Sequence, residues 1–127
     1  MNGNGFHHEE FARQLILFRG IESGTATPTD IDGFIEKGGR AFLFYEFKAG
    51  GAKVPYGQRL ALERIVDACR DAHRKAAVFI CRHENFDGSD IEAAEAIVDA
   101  VYCGGKWYQL THKPTVKAMT ERFLKGA

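Results

Sequence analysis

The residues best suited to chemistry lie between Pro28 and Lys48. An aromatic run from Phe42 to Phe47 is interrupted by Glu46 and followed by Lys48. Period-two alternation along a strand puts Glu46 and Lys48 on one face, about one repeat apart. Asp30 and Asp32, two residues apart, share a face in the same way. Mg²⁺ takes oxygen ligands at about 2.0–2.1 Å and keeps several waters, so two carboxylates and a backbone carbonyl suffice to hold it. A metal held there could bridge a phosphate oxygen and a water, while a neighbouring ammonium orients the water and offsets developing negative charge. Standing alone, a Glu-x-Lys is a common triplet and reads first as a solvated ion pair on a surface strand. Its neighbours decide which reading is worth pursuing.

The elements that would position these groups can be read in order. Residues 6–19, FHHEEFARQLILFR, repeat Phe11, Leu15 and Phe18 at helical spacing, with Gly20 placed to stop the helix. A small-residue connector, 24–30, leads to strands over 30–37 and 40–48, joined at Gly38-Gly39. A Gly-rich loop at 49–56 precedes a helix over 57–73, whose Leu62, Ile65, Val66 and Cys69 form one stripe. The continuous apolar run 76–82 fits a strand buried on both faces, and the helix before it implies a parallel crossover from 40–48. Asp90 can cap a helix over 91–102, stopped by Gly104-Gly105. A strand at 106–110 and a helix over 114–125, opened by Pro114, complete the chain.

The pattern resembles the PD-(D/E)xK nuclease superfamily in three motifs: Thr-Asp-Ile-Asp-Gly-Phe-Ile at 29–35, Tyr-Glu-Phe-Lys at 45–48, and Gly-Gln at 57–58. The similarity extends over residues 6–82 and is to the RecB-like, phage-exonuclease, virus-type and Holliday-junction-resolvase-like branches. It implies an α/β fold: a small mixed β-sheet flanked by helices, with a restriction-endonuclease-like α-β-β-α-β core and C-terminal additions. It also implies that Asp32 and Glu46 bind Mg²⁺, with Mn²⁺ as substitute, and that Phe47 adds its carbonyl. Lys48 becomes the catalytic lysine, and Gln58 bonds the water, the lysine or a phosphate. Asp30 is an alternative or outer acid, and Glu10 or Glu9 on the first helix could complete the site. The chain departs from the family in three ways. Its Pro28 stands two residues ahead of the first acid, Leu62 replaces the tyrosine four residues after the glutamine, and 76–83 lacks an arginine pair.

This ligand set makes a geometric demand. A two-residue hairpin at Gly38-Gly39 would pair Lys37 with Arg40 and Asp32 with Tyr45, turning Asp32 away from Glu46. An odd-length loop or a glycine bulge is therefore expected.

Composition sets the outer bounds. At 127 residues, 45% hydrophobic and 27% charged, the chain suits one globular domain, 1–127, with no run long enough for a membrane helix. Seventeen basic and seventeen acidic residues balance, which disfavours non-specific coating of nucleic acid but leaves room for a local basic patch. The first residues lack a signal-peptide plan, and three widely spaced cysteines imply no disulfide framework, so a cytoplasmic, intracellular setting is expected. His7, His8, His83 and His112 with the cysteines lack paired zinc-ligand spacing. Lys53, Tyr56 and Arg59 follow the Glu-x-Lys strand directly and are the candidate DNA contacts; Lys113, Lys117, Arg122 and Lys125 read as a solvated helix face. The expectation is a Mg²⁺-dependent deoxyribonuclease, structure-directed like a junction resolvase, acting as a homodimer. Recombination, repair or phage-encoded proteins would be its partners. The alternative is a non-catalytic DNA-binding or scaffolding module with the same fold.

Overall fold

A computed structural model describes residues 15–26 and 28–127. Five strands form one mixed sheet in sequential order: β1 (Gly33–Lys37), β2 (Ala41–Ala49), β3 (Lys75–His83), β4 (Ile97–Cys103) and β5 (Lys106–Gln109). Helix α1 (Tyr56–Asp71) links β2 to β3, which run parallel; the other neighbouring pairs are antiparallel. A short 3₁₀ turn, Ala93–Glu95, precedes β4, and helix α2 (Val116–Leu124) closes the chain. The fold is thus a small mixed α/β sheet structure. Among the described residues no helix is long and apolar enough to cross a membrane.

Alternation divides the core between two faces. On one face Leu43, Tyr45, Phe79, Cys81 and Val98 pack with Val116, Met119 and Phe123 of α2. On the other, Phe44, Val78, Ile80 and Tyr102 meet Leu62 and Val66 of α1. Each fully buried Leu, Val or Phe in these clusters contributes about 1.5–3 kcal/mol by leaving water. β3 carries residues of both clusters, which explains its unbroken apolar sequence. Thr115 caps α2 by accepting from Ala118 N at 3.1 Å, so Pro114 lies just before the helix rather than in its first turn.

Two expected helices need correction. Residues 91–102 form the 3₁₀ turn and then β4, so Asp90 caps nothing. The segment Ile97–Cys103, IVDAVYC, is rich in β-branched and aromatic residues, and the open edge of β3 gives it a ladder. Of the helix expected over 6–19, residues 6–14 lie outside the described residues. The described part, 15–19, is not helical, and Leu15, Ile16, Leu17 and Phe18 are exposed there. Short helices draw most of their stability from a packed apolar face, and these side chains have none.

Candidate active site

The site is set by the turn between β1 and β2. Lys37 pairs with Ala41, leaving three residues, Gly38, Gly39 and Arg40, in the loop. Both glycines have positive φ, 59° and 69°, which a non-glycine residue adopts only with strain. Arg40 is the extra residue: its N–H bonds Lys37 O at 3.0 Å, and its carbonyl accepts from Lys75 N at 2.9 Å. The ladder then runs to Gly33–Tyr45. Continued one step beyond that last pair, this register would set Asp32 opposite Glu46, the parity the ligand set requires.

Asp32 lies just beyond the end of β1, and its Oδ2 accepts from Phe47 N at 2.8 Å, replacing the ladder partner that β1 no longer supplies. The N–H and C=O of a strand residue point to the same neighbouring strand. The Phe47 carbonyl therefore points to the side where β1 has ended.

Glu46 is the one buried charged residue among those described, 2% exposed, on the α1 face of β2. Its two oxygens are held separately. Lys48 Nζ lies 3.1 Å from Oε2, and Gln58 Nε2 donates to Oε1 at 3.1 Å. Gln58 projects from the first turn of α1, one turn before buried Leu62, and also donates to the Asp30 carbonyl at 3.3 Å. Burial raises the Glu46 carboxyl above its ordinary range; the Lys48 hydrogen bond opposes this, and the Asp32 charge adds to the rise. On the other side of the sheet, burial with the Asp32 and Glu46 charges pushes the Cys81 thiol up to about 12.

Asp32, Glu46, Lys48 and Gln58 thus come together, with Asp30 contributing its backbone. Glu9 and Glu10 lie outside the described residues. Among the described residues no group of three or more His, Cys, Asp or Glu side chains is placed to hold a metal ion. Two carboxylates and a strand carbonyl nevertheless suit Mg²⁺, which keeps several waters. Each carboxylate oxygen carries two lone pairs, so the bonds to Phe47, Lys48 and Gln58 leave acceptor capacity.

Of the candidate DNA contacts, Lys53 lies exposed in the loop after β2 and Tyr56 is exposed at the start of α1. The Arg59 guanidinium carbon sits 5.7 Å from the Tyr56 ring centroid, and its Nε is 3.6 Å from Glu63 Oε2.

Sequence reasoning missed Arg82 and Asp99. Arg82 is the register partner of Lys48 on the parallel strand β3, so the two cations stand side by side on the α1 face. Alternation along Ala76, Val78 and Ile80 would have placed it there. Arg82 is fixed by Asp99 Oδ2 at 3.2 Å and by the Ala52 carbonyl. Asp99 also accepts from Gln109 at 2.7 Å and Lys113 at 2.5 Å, and Lys113 foremost holds its carboxyl below the usual range against some burial. Asp99 is the extra residue of a β4 bulge, since Ile80 pairs with Ala100 and Cys81 with Val98. No sequence signal announces that bulge.

No family model matches the sequence, and no curated protein or solved structure matches the chain.

Proposed function

We propose that this chain is a metal-dependent deoxyribonuclease, built on a restriction-endonuclease-like core, that hydrolyses phosphodiester bonds. The observation that carries the reading is the convergence at the end of β1. The Asp32 carboxylate bonds the N–H between Glu46 and Lys48, while Lys48 and Gln58 together hold the buried Glu46. A surface Glu–Lys pair needs neither the burial nor the second strand's acid. Strong burial combined with an adjacent like charge is how functional carboxylates are commonly perturbed.

Asp32, Glu46 and the Phe47 carbonyl are the residues that would hold Mg²⁺ or Mn²⁺. The ion would supply charge stabilisation at a phosphate oxygen and acidify a bound water. Lys48, with its ammonium beside Glu46, offsets negative charge on the phosphate and orients the attacking water. Gln58 fixes the Glu46 carboxylate through one oxygen, leaving the other for Lys48. Lys53, Arg59 and Arg82 supply cations for the DNA backbone. So small a unit suits a structure-directed, junction-resolvase-like enzyme that pairs with a second copy to cut two strands, in an intracellular setting such as recombination or repair.

The test is a cleavage panel of linear, nicked, flapped and four-way DNA, with Mg²⁺ or Mn²⁺. Wild type should cut at least one substrate, and Lys48→Ala and Asp32→Asn should each lose about 10²–10⁴-fold in rate while melting as cooperatively as wild type. Binding without cleavage in either metal would overturn the nuclease reading in favour of a non-catalytic DNA-binding module.

A further inference from the structure

A cleft of about 340 Å³ opens on the α1 face of the sheet, lined by Lys53, Arg59, Arg82, Asp99, Trp107 and Gln109, with Ile80 and Ala100 among the apolar residues. It adjoins the site already described. Ile80 is the register partner of Glu46 and Arg82 that of Lys48, so one strand spacing, about 4.8 Å, separates each pair. From there the lining extends through Ala100 on β4 to Trp107 and Gln109 on β5.

The lining combines cations with an aromatic face, a set complementary to the phosphate and base of a nucleotide. Lys53, Arg59 and Arg82 bring to it the kind of cationic side chains that pair with phosphate. Arg82 is pre-set by Asp99 and the Ala52 carbonyl, which occupy two of the five N–H donors an arginine carries. Trp107 is the chain's only tryptophan, and its ring is held firmly: Nε1 donates to Glu63 Oε2 at 2.6 Å, and the Tyr102 ring lies 5.2 Å away, centroid to centroid. A held indole bordering a cationic cleft is a stacking platform for a base, a contact insensitive to base identity. Size decides what enters. Ligand pockets span about 300–1,000 Å³, and this one is at the lower limit, which suits a single nucleotide unit better than a longer segment.

Building on the nuclease reading, we propose that this cleft is a subsite for one unpaired DNA nucleotide adjoining the scissile phosphate. Its base meets Trp107, and its phosphate is held by Arg82 and Lys53. The subsite directs the enzyme to junctions between paired and unpaired strand, such as a flap, rather than to continuous duplex.

Trp107 supplies a direct reporter. In EDTA, where no metal-dependent cleavage can occur, the intrinsic fluorescence of the full chain is titrated with a short single-stranded DNA, the matching blunt duplex and the matching RNA. Single-stranded DNA should quench saturably and bind at least about tenfold tighter than either competitor. Lys53→Ala, a change at an exposed loop residue, should weaken that binding about tenfold, as expected for a lost charge-assisted contact. With metal, wild type should prefer flapped over blunt DNA, and Trp107→Ala, if its thermal melt shows it folded, should lose the preference. Saturable quenching by single-stranded DNA without cleavage would sustain the subsite and sink the nuclease reading. Cleavage without quenching would do the opposite, and equal quenching by the duplex would overturn the subsite alone. Tighter quenching by RNA would overturn the DNA assignment.

Discussion

Among the described residues, two antiparallel hairpins have the same dipeptide at the turn and different consequences. Gly38-Gly39 joins β1 to β2, and Gly104-Gly105 joins β4 to β5; all four glycines have positive φ, as type I′ turns require. At the second turn Cys103 pairs directly with Lys106, so the loop has two residues. At the first, Arg40 is added and Lys37 pairs with Ala41. The β4–β5 hairpin takes its irregularity elsewhere, at the Asp99 bulge where β4 meets β3. Each hairpin ends, far from its turn, in a held carboxylate. Three donors surround Asp99 and lower its pKa, whereas burial outweighs Lys48 at Glu46 and raises it. A glycine pair therefore fixes the sharpness of a turn but not its parity. The one-residue difference decides which side chains face each other at the far end.

The largest effect should come from breaking that parity without touching a ligand. Deleting Gly33 keeps the ladder from Phe34 to Lys37 but moves Asp32 into the place opposite Tyr45, on the wrong face. Metal-dependent cleavage should fall by about 10²-fold or more, as for loss of a catalytic group. Deleting Arg40 instead gives a two-residue loop like that at Gly104-Gly105 and still pairs Lys37 with Ala41. Cleavage should then stay within about tenfold of wild type, since facing residues are unchanged. Equal loss in the two deletions, each checked for a cooperative melt, would show that register is not what assembles the site.

Next comes the carboxylate with the satisfied shell. Asp99→Asn removes the charge that binds Arg82 and Lys113, on a side chain only 18% exposed. Hydrogen bonds to charged groups contribute about 1.5–3 kcal/mol, so the melting temperature at neutral pH should fall roughly 5–15 °C. The sign with pH follows from the lowered pKa. This stabilisation is present above the unfolded aspartate value and is lost as pH falls through the lower folded value, so variant and wild type should converge in acid. A melting difference that persists unchanged in acid would remove the charge from the explanation.

How much of this was legible in the sequence differs between the two hairpins for a physical reason. Around Glu46 the signals are local: alternation in 40–48, a helical stripe beginning at Gln58, and a parity requirement that can be worked out from residue numbers. Hence β1, β2, α1 and β3 emerge within a few residues of their observed limits. Around Asp99 the signals conflict. Asp90 resembles a helix cap and Gly104-Gly105 resembles a helix stop, while the ladder that makes 97–103 a strand comes from β3, distant in sequence. The bulge depends on that same pairing, so neither Asp99 nor its hold on Arg82 could be read locally. The apolar spacing in 6–19 is a local signal too, yet residues 15–19 are not helical, because spacing alone does not provide a surface to pack against.

The smallest effect, and the finest test of the contrast, is the pH dependence of Glu46→Gln. The raised pKa of Glu46 means that the folded state binds its proton more readily than the unfolded chain does. Folding therefore favours the neutral form more than the unfolded chain does. The associated stability is fully present below the unfolded glutamate value, about 4.3, and is lost as pH rises through the higher folded value. Gln keeps an amide that can meet Gln58 but has no charge to desolvate and none to repel Asp32. The variant should therefore melt above wild type at neutral pH, and this advantage should shrink toward zero in acid, opposite in sign to the Asp99→Asn difference. Activity should be lost at the same time, as expected where a fold carries an unfavourable buried charge for function. Thermal melts of both variants between pH 4 and pH 8 would read the two signs together. If Glu46→Gln were the less stable protein at neutral pH, the Lys48 and Gln58 bonds would outweigh burial, and Glu46 would be a structural carboxylate of the same kind as Asp99.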